Sequence, residues 1–180
     1  MRSKKSIVCA LMLLFTTFSA TYAQQAISSK IQAGINLEAA LPFGDFSKAY
    51  SFGIGGSVMG RYALSGKAHL TASIGYLNFS GKSVSYTYYG EDEQQHTETD
   101  KVPATHGIPL RVGANYMLGN IFFIQGEIGE SFMKGGSAFL YAPGIGARFR
   151  DDHLEVELKY EGWSKNGTLS FGGLRIGYFF

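Results

Sequence analysis

Ten charged residues of this 180-residue chain fall on alternate positions of segments that are otherwise apolar or glycine-rich. They are Glu38, Arg61, Arg111, Glu127, Arg148, Glu155, Glu157, Lys159, Glu161 and Arg175. Five acids and five bases on one face of a sheet can do one of two things. They can neutralise each other as a buried lattice, or they can line a path for ions. Two further groups hold reactive side chains. His106 and Glu130 are a base and a carboxylate of the kind that activates a nucleophile. His96 lies among Glu91, Asp92, Glu93, Glu98 and Asp100, which have the atoms but not the fixed spacing of a metal site. We expect that cluster to be a solvated acidic surface, with no metal and no cofactor bound.

What positions these groups is a repeated period of two, with no helical period after residue 24. Ile31, Ala33, Ile35, Leu37, Ala39 and Leu41 alternate with Gln32, Gly34, Asn36, Glu38 and Ala40. Seven more segments behave alike: Tyr50 to Leu64, Leu70 to Tyr76, Ile108 to Leu118, Phe122 to Phe132, Phe139 to Phe149, Leu154 to Tyr160 and Leu174 to Phe180. Eight strands is an even number, as a closed up-and-down barrel requires. Ser65-Gly66, Gly119-Asn120 and Arg150 to His153 read as tight turns, whereas Pro42 to Ala49, Ser80 to Thr105, Met133 to Ser137 and Ser164 to Gly167 read as longer loops. Pro109 and Pro143 fall inside strands of a sheet without edges, so a bulge is expected at each.

The two faces of these strands differ in a way that decides which is inside. The polar face is rich in glycine and carries both charge signs, which suits the narrow lumen of eight strands. The apolar face has aromatics near its ends, including Tyr50, Tyr62, Tyr76, Tyr116, Phe122, Phe149, Tyr160, Tyr178 and Phe180. A tilted strand climbs roughly 2.5 Å per residue, so a ~25 Å apolar band takes about ten residues. Glu130 is the one charged residue on that face, ten positions beyond the Gly119-Asn120 turn and so near the band's boundary. The apolar face is therefore expected in lipid. The fold class is all-β, an eight-stranded antiparallel transmembrane barrel. A porin-like water channel needs about sixteen strands, so the interior charges are expected to plug the barrel.

The first 23 residues read as a secretory signal peptide. Arg2, Lys4 and Lys5 precede an apolar run from Ile7 to Ala20, and Thr21-Tyr22-Ala23 offers a cleavage site. The run is too short to span a bilayer as a helix. The barrel domain is then 24–180, with thirteen basic residues against fourteen acidic, since Arg2, Lys4 and Lys5 leave with the signal. That removes the support for a nucleic-acid partner. The only cysteine, Cys9, leaves too, so no disulfide holds the exported domain together. Composition agrees: 24 glycines are about 13% of the chain against ~7% on average, and charged residues are 17% against ~25%.

Four stretches carry a resemblance. They are Leu41-Pro42-Phe43-Gly44-Asp45-Phe46, Tyr141-Ala142-Pro143-Gly144-Ile145-Gly146, Tyr160-Glu161-Gly162-Trp163-Ser164 and the ending Leu174-Arg175-Ile176-Gly177-Tyr178-Phe179-Phe180. Over nearly all of residues 27–180 the chain resembles the small outer-membrane β-barrels of OmpA/OmpX-like architecture. The resemblance implies an outer-membrane location, contact with outer-membrane lipid and lipopolysaccharide, and delivery by the barrel-assembly machinery. Tyr178 and Phe180 then match the terminal signal which that machinery reads. It does not imply one activity. Some barrels of this size hydrolyse or transfer lipid A acyl chains with a His-x-Ser pair, but the residue two beyond His106 is Ile108. We therefore expect His106 and Glu130 to be an interfacial histidine and a rim carboxylate, and the protein to be a non-enzymatic monomer. Its expected role is envelope structure or surface interaction; a small-solute or ion channel is the alternative. The long loop at 80–105 is the candidate partner region. Val84, Tyr86 and Tyr88 alternate there, and with Tyr89 and His96 they could offer a sheet edge to a partner. A polar loop that only shields the barrel is the other reading.

Overall fold

The computed structural model describes residues 30–89, 95–149, 153–165 and 167–180. The signal segment lies outside these. So do 90–94 in the long loop, with Glu91, Asp92 and Glu93, and most of the turn at 150–153. Ten strands and one short helix follow in chain order. They are β1 (Ile31–Phe43), α1 (Phe46–Ala49), β2 (Tyr50–Ala63), β3 (Ala68–Gly81), β4 (Ser83–Tyr89), β5 (Gln95–Lys101), β6 (Thr105–Met117), β7 (Phe122–Met133), β8 (Gly136–Phe149), β9 (Leu154–Ser164) and β10 (Thr168–Phe179). Eight of the strands close an antiparallel barrel in the order β1-β10-β9-β8-β7-β6-β3-β2, and β4 and β5 form a separate two-stranded sheet.

The pleat turns each strand's alternation into two surfaces. Leu37 (72% exposed) and Leu158 (61%) typify the outer wall, while Arg111 and Glu161 (each 0%) typify the interior. This inverts the pattern of a soluble barrel. Among the described residues of the eight barrel strands, Glu130 is the sole exposed Asp, Glu, Lys or Arg. Exposed aromatics gather toward the strand ends, including Tyr62, Tyr116, Phe122, Phe149, Tyr178 and Phe180 at the end that carries the C-terminus.

Three local expectations need correction. The prolines make no bulge. The β6–β7 ladder runs unbroken past Pro109, and the β7–β8 ladder past Pro143. Each proline instead leaves a gap in the ladder on its other side. The β3–β6 register skips from Ile74↔Leu110 to Leu77↔Gly107, and the β8–β9 register from Tyr141↔Gly162 to Gly144↔Lys159. A missing N–H removes bonds toward one neighbour only, and the register survives on the other. The second correction concerns Tyr50. The register shifts between Tyr50 and Phe52, and Tyr50 packs on the interior cluster with its ring 5.0 Å from that of Phe46. It is no part of the outer wall.

The third correction concerns the loops. Met133 to Ser137 is mostly strand: Lys134 and Gly135 alone link β7 to β8, and Gly135 (φ 122°) and Gly136 (φ 117°) adopt backbone angles that favour glycine. Similarly, only 165–167 separate β9 from β10. Long connections at that end are confined to two. One is the segment with α1. The other is 82–104, where β4 and β5 continue from β3 and return through Val102, whose N–H donates to the Lys82 carbonyl at 3.0 Å. We call this the hairpin end, and the other, with the C-terminus and the 64–67 and 118–121 turns, the turn end.

Candidate functional site: the sealed lumen

All ten interior charges are at most 5% exposed. Eight strands leave no room for them to avoid one another, and their partners come from across the barrel rather than from adjacent pairs alone. Glu38 on β1 is the hub. It accepts from Ser57 Oγ (2.6 Å), from Arg111 Nη1 and Nη2 (3.2 Å each) and from Lys159 Nζ (3.0 Å). Arg111 also donates to Glu161 through Nη2 at 3.0 Å, and Lys159 Nζ lies 2.8 Å from the same carboxylate. Arg175 bridges Glu127 (2.8 Å) and Glu157 (2.9 Å) and approaches Glu38 at 3.7 Å. Nearer the turn end, Glu155 Oε2 receives Arg61 Nη1 and Arg148 Nε, both at 2.9 Å. Each charge thus faces an opposite one, which is what burial demands.

The lattice is stoppered at both ends. At the hairpin end Leu77, Phe79, Leu140, Trp163 and Phe171 turn inward and are essentially buried, and Phe46 from α1 drops onto them. The rings meet edge to face: Phe46–Phe79 at 4.9 Å, Phe79–Phe171 at 5.2 Å and Trp163–Phe171 at 5.3 Å between centroids. Trp163 Nε1 donates to Glu161 Oε1 at 2.7 Å, tying the aromatic layer to the charges beneath it. At the turn end Arg61 lies over the Phe179 ring (4.2 Å) and Arg148 over Phe123 (5.0 Å), cation–π contacts that pair the outermost lumen charges with buried rings. Between the stoppers, Asn36 Oδ1, Thr71 Oγ1, Ser73 Oγ, Asn115 Oδ1 and Gln125 Nε2 have no hydrogen-bond partner among the described residues.

The aromatic stopper was absent from the expectations, although its signal was present. Leu77 and Phe79 share the parity of Thr71 and Ser73, Trp163 that of Glu161, and Phe171 that of Arg175. Continuing each alternation past its polar residues would have found the layer.

The other candidates separate. His106 is exposed and its ring stacks on Tyr76 at 5.6 Å. Glu130 stands opposite Leu110, four residues along β6 from His106, which is about 14 Å of strand. The two are not a catalytic pair. Among the described residues no group of three or more His, Cys, Asp or Glu could hold a metal ion. In the β4–β5 pair, Tyr86 stands opposite Glu98, Tyr88 opposite His96 and Tyr89 opposite Gln95. At the C-terminus, Tyr178 and Phe180 lie on the outer wall. Phe180 N–H donates to the Ala33 carbonyl (2.8 Å), His153 Nδ1 bonds the Phe179 carbonyl (2.7 Å), and the His153 ring stacks on Tyr178.

No family model matches the chain, and neither does any curated protein. Solved structures do. The outer membrane protein Ail of Yersinia pestis, in a phospholipid nanodisc, aligns over 83% of this chain and 99% of its own, at 13% identity and a TM-score of 0.53. A de novo designed transmembrane β-barrel aligns over 83% and 95% at 11% identity, TM-score 0.49. The N-terminal barrel domain of Pseudomonas aeruginosa OprF aligns over 83% and 97% at 14% identity, TM-score 0.46. At these identities the likeness is one of fold, and the Ail match carries it. The chain is an eight-stranded closed antiparallel barrel that resembles the small outer-membrane barrels.

Proposed function

We propose that this protein is a closed barrel integral to the bacterial outer membrane, serving envelope structure and surface interaction rather than conduction or catalysis. One observation carries the reading. The charges are inside and paired, while large apolar side chains cover the outer wall, on which Glu130 is the sole exposed Asp, Glu, Lys or Arg among the described residues. In water such a wall would be an aggregation surface; in lipid it is the buried side. Glu130 is three residues from the end of β7, and its position suits the edge of the apolar band, where a carboxylate costs little. The exposed aromatics near the strand ends fit interfacial girdles. The ending with Tyr178 and Phe180 is read as the assembly signal, and outer-membrane lipid and lipopolysaccharide as the barrel's surroundings.

The hairpin end is assigned to the outside. It holds the longest connection, and β4–β5 has two strand edges beyond the barrel ladder that a partner's strand could join. Fractionation tests the assignment. The protein is expected in the outer-membrane fraction, resistant to carbonate extraction. Protease added to intact cells is expected to cut within 83–101 and leave the barrel whole. Release by carbonate would contradict the membrane reading, and protection of 83–101 would reverse the orientation.

A further inference from the structure

One residue joins the outer hairpin to the mouth of the lumen. Lys82 is the only residue between β3 and β4. Its N–H donates to the Ala49 carbonyl at 2.8 Å, and its ammonium donates to the Ser47 carbonyl at 2.6 Å. Its own carbonyl accepts from the Val102 N–H at 3.0 Å. Ser47 and Ala49 belong to α1, and Val102 directly follows β5. The last carbonyls of a helix have no partner inside it, so Lys82 satisfies two that α1 cannot. The junction is close-fitting. A Cβ at Gly81 would run into the Val102 carbonyl, and Gly81 stands opposite Tyr50, the residue that follows α1.

The helix that Lys82 holds is a weak one by itself. Four residues are far too few for a helix to persist alone, and its N-cap, Asp45, makes no side-chain cap bond. Asp45 pairs with Lys48, but the two side chains are 91% and 79% exposed, where an ion pair contributes little. Ser47 Oγ donates to the Gly44 carbonyl at 2.7 Å, a bond within the same short segment. Phe46 is the one buried residue of α1, its ring packed on those of Tyr50 and Phe79 at the top of the aromatic stopper. Two links therefore seat α1 on the barrel: the packing of Phe46 and the bonds from Lys82.

We propose that Lys82 couples the hairpin to the lumen mouth. A partner strand that joins an edge of β4–β5 and stiffens it also locks Phe46 into the stopper, and an unseated Phe46 loosens the hairpin. The proposal rests on the surface-interaction reading above and names how that site is regulated. Such coupling is reciprocal, so either end can be perturbed and the other read.

The test is amide hydrogen exchange, read by mass spectrometry on the protein folded in phospholipid nanodiscs. Ser85 stands opposite Thr99 with their hydroxyls 2.8 Å apart, so Ser85→Cys with Thr99→Cys clamps the hairpin when oxidised and stands in for a partner strand. Oxidation is expected to slow exchange at 46–50 several-fold relative to the reduced form. Lys82→Met keeps the backbone bonds and removes the ammonium; it is expected to speed exchange at 46–50 several-fold and to weaken the effect of oxidation. From the other end, Phe46→Ala is expected to speed exchange at 83–89 and 95–101 several-fold, with Phe46→Leu between it and the unaltered chain. The amides of β6 to β9 are expected to be unchanged throughout. A clamped hairpin with 46–50 unchanged, or hairpin exchange indifferent to Phe46→Ala, would overturn the coupling. So would acceleration that spreads over β6 to β9, which would mean general loosening of the barrel. None of these outcomes bears on the surface-interaction reading, because no partner enters the experiment. Protection of 83–101 from protease on intact cells would overturn that reading whatever the exchange shows.

Discussion

Glu38→Gln is expected to lower the unfolding free energy of the barrel by about 3–5 kcal/mol, the usual consequence of removing one partner from a buried ion pair. Glu38 is bonded to Ser57, Arg111 and Lys159 and lies close to Arg175, all buried. Glutamine keeps the size and can still accept from Ser57. It removes the negative charge on which three cations converge and leaves them with Glu127, Glu157 and Glu161. Changing both partners to apolar residues of similar size, Glu38→Leu with Lys159→Met, is expected to cost less than a single truncation would imply, since fewer charges remain to be buried unpaired. Urea unfolding in detergent micelles, followed by far-UV circular dichroism, measures both. A loss below about 1 kcal/mol for Glu38→Gln would mean that water screens the lattice as it screens a surface pair.

Trp163→Ala is expected to cost a similar 3–5 kcal/mol, by another route. Trp163 is 1% exposed and packs edge-on against Phe79 and Phe171, so its removal leaves a hole in a layer with little slack. It also strips Glu161 of the indole donor. Trp163→Phe separates the two contributions, because it keeps most of the packing and loses only a hydrogen bond to a charged acceptor, worth about 1.5–3 kcal/mol. The expected order of stability is wild type, then Trp163→Phe, then Trp163→Ala. Since Trp163 is the only tryptophan, the series is followed by circular dichroism rather than by indole fluorescence. Equal stability of the two variants would mean that the hydrogen bond, not the packing, holds the layer.

How much of this was legible depended on whether a local pattern had one physical cause. Strict alternation around Glu38, Arg111 and Arg175 has one cause, a two-faced strand, so strand number and the inward face follow from it. The way Glu38 draws cations from β6, β9 and β10 has another, the closure of the barrel, and no spacing along the chain encodes it. The aromatic layer was readable in principle, because Phe79, Trp163 and Phe171 keep the inward parity; it is hidden only if the inner face is assumed to be polar throughout. Pro109 and Pro143 mislead because a missing N–H is a property of one edge of a strand, whereas a bulge would alter both. The β7–β8 link looked long because Gly135 and Gly136 resemble loop composition, yet their positive φ angles permit the tighter turn. The shift that brings Tyr50 indoors depends on α1 dropping Phe46 into the mouth, a tertiary cause that Tyr50 itself does not announce.

The central claim is that the lumen is occupied and stoppered: an aromatic layer at the hairpin end, paired charges in the middle and cation–π lids at the turn end. Single-channel recording of the folded protein in a planar bilayer tests it most directly. Protein verified as folded by its heat-dependent gel mobility is expected to insert and give no steady current steps. Stable openings that scale with salt concentration would contradict the claim. They would show a hydrated, continuous path past Phe46, Trp163 and Arg111 and would make the barrel a channel.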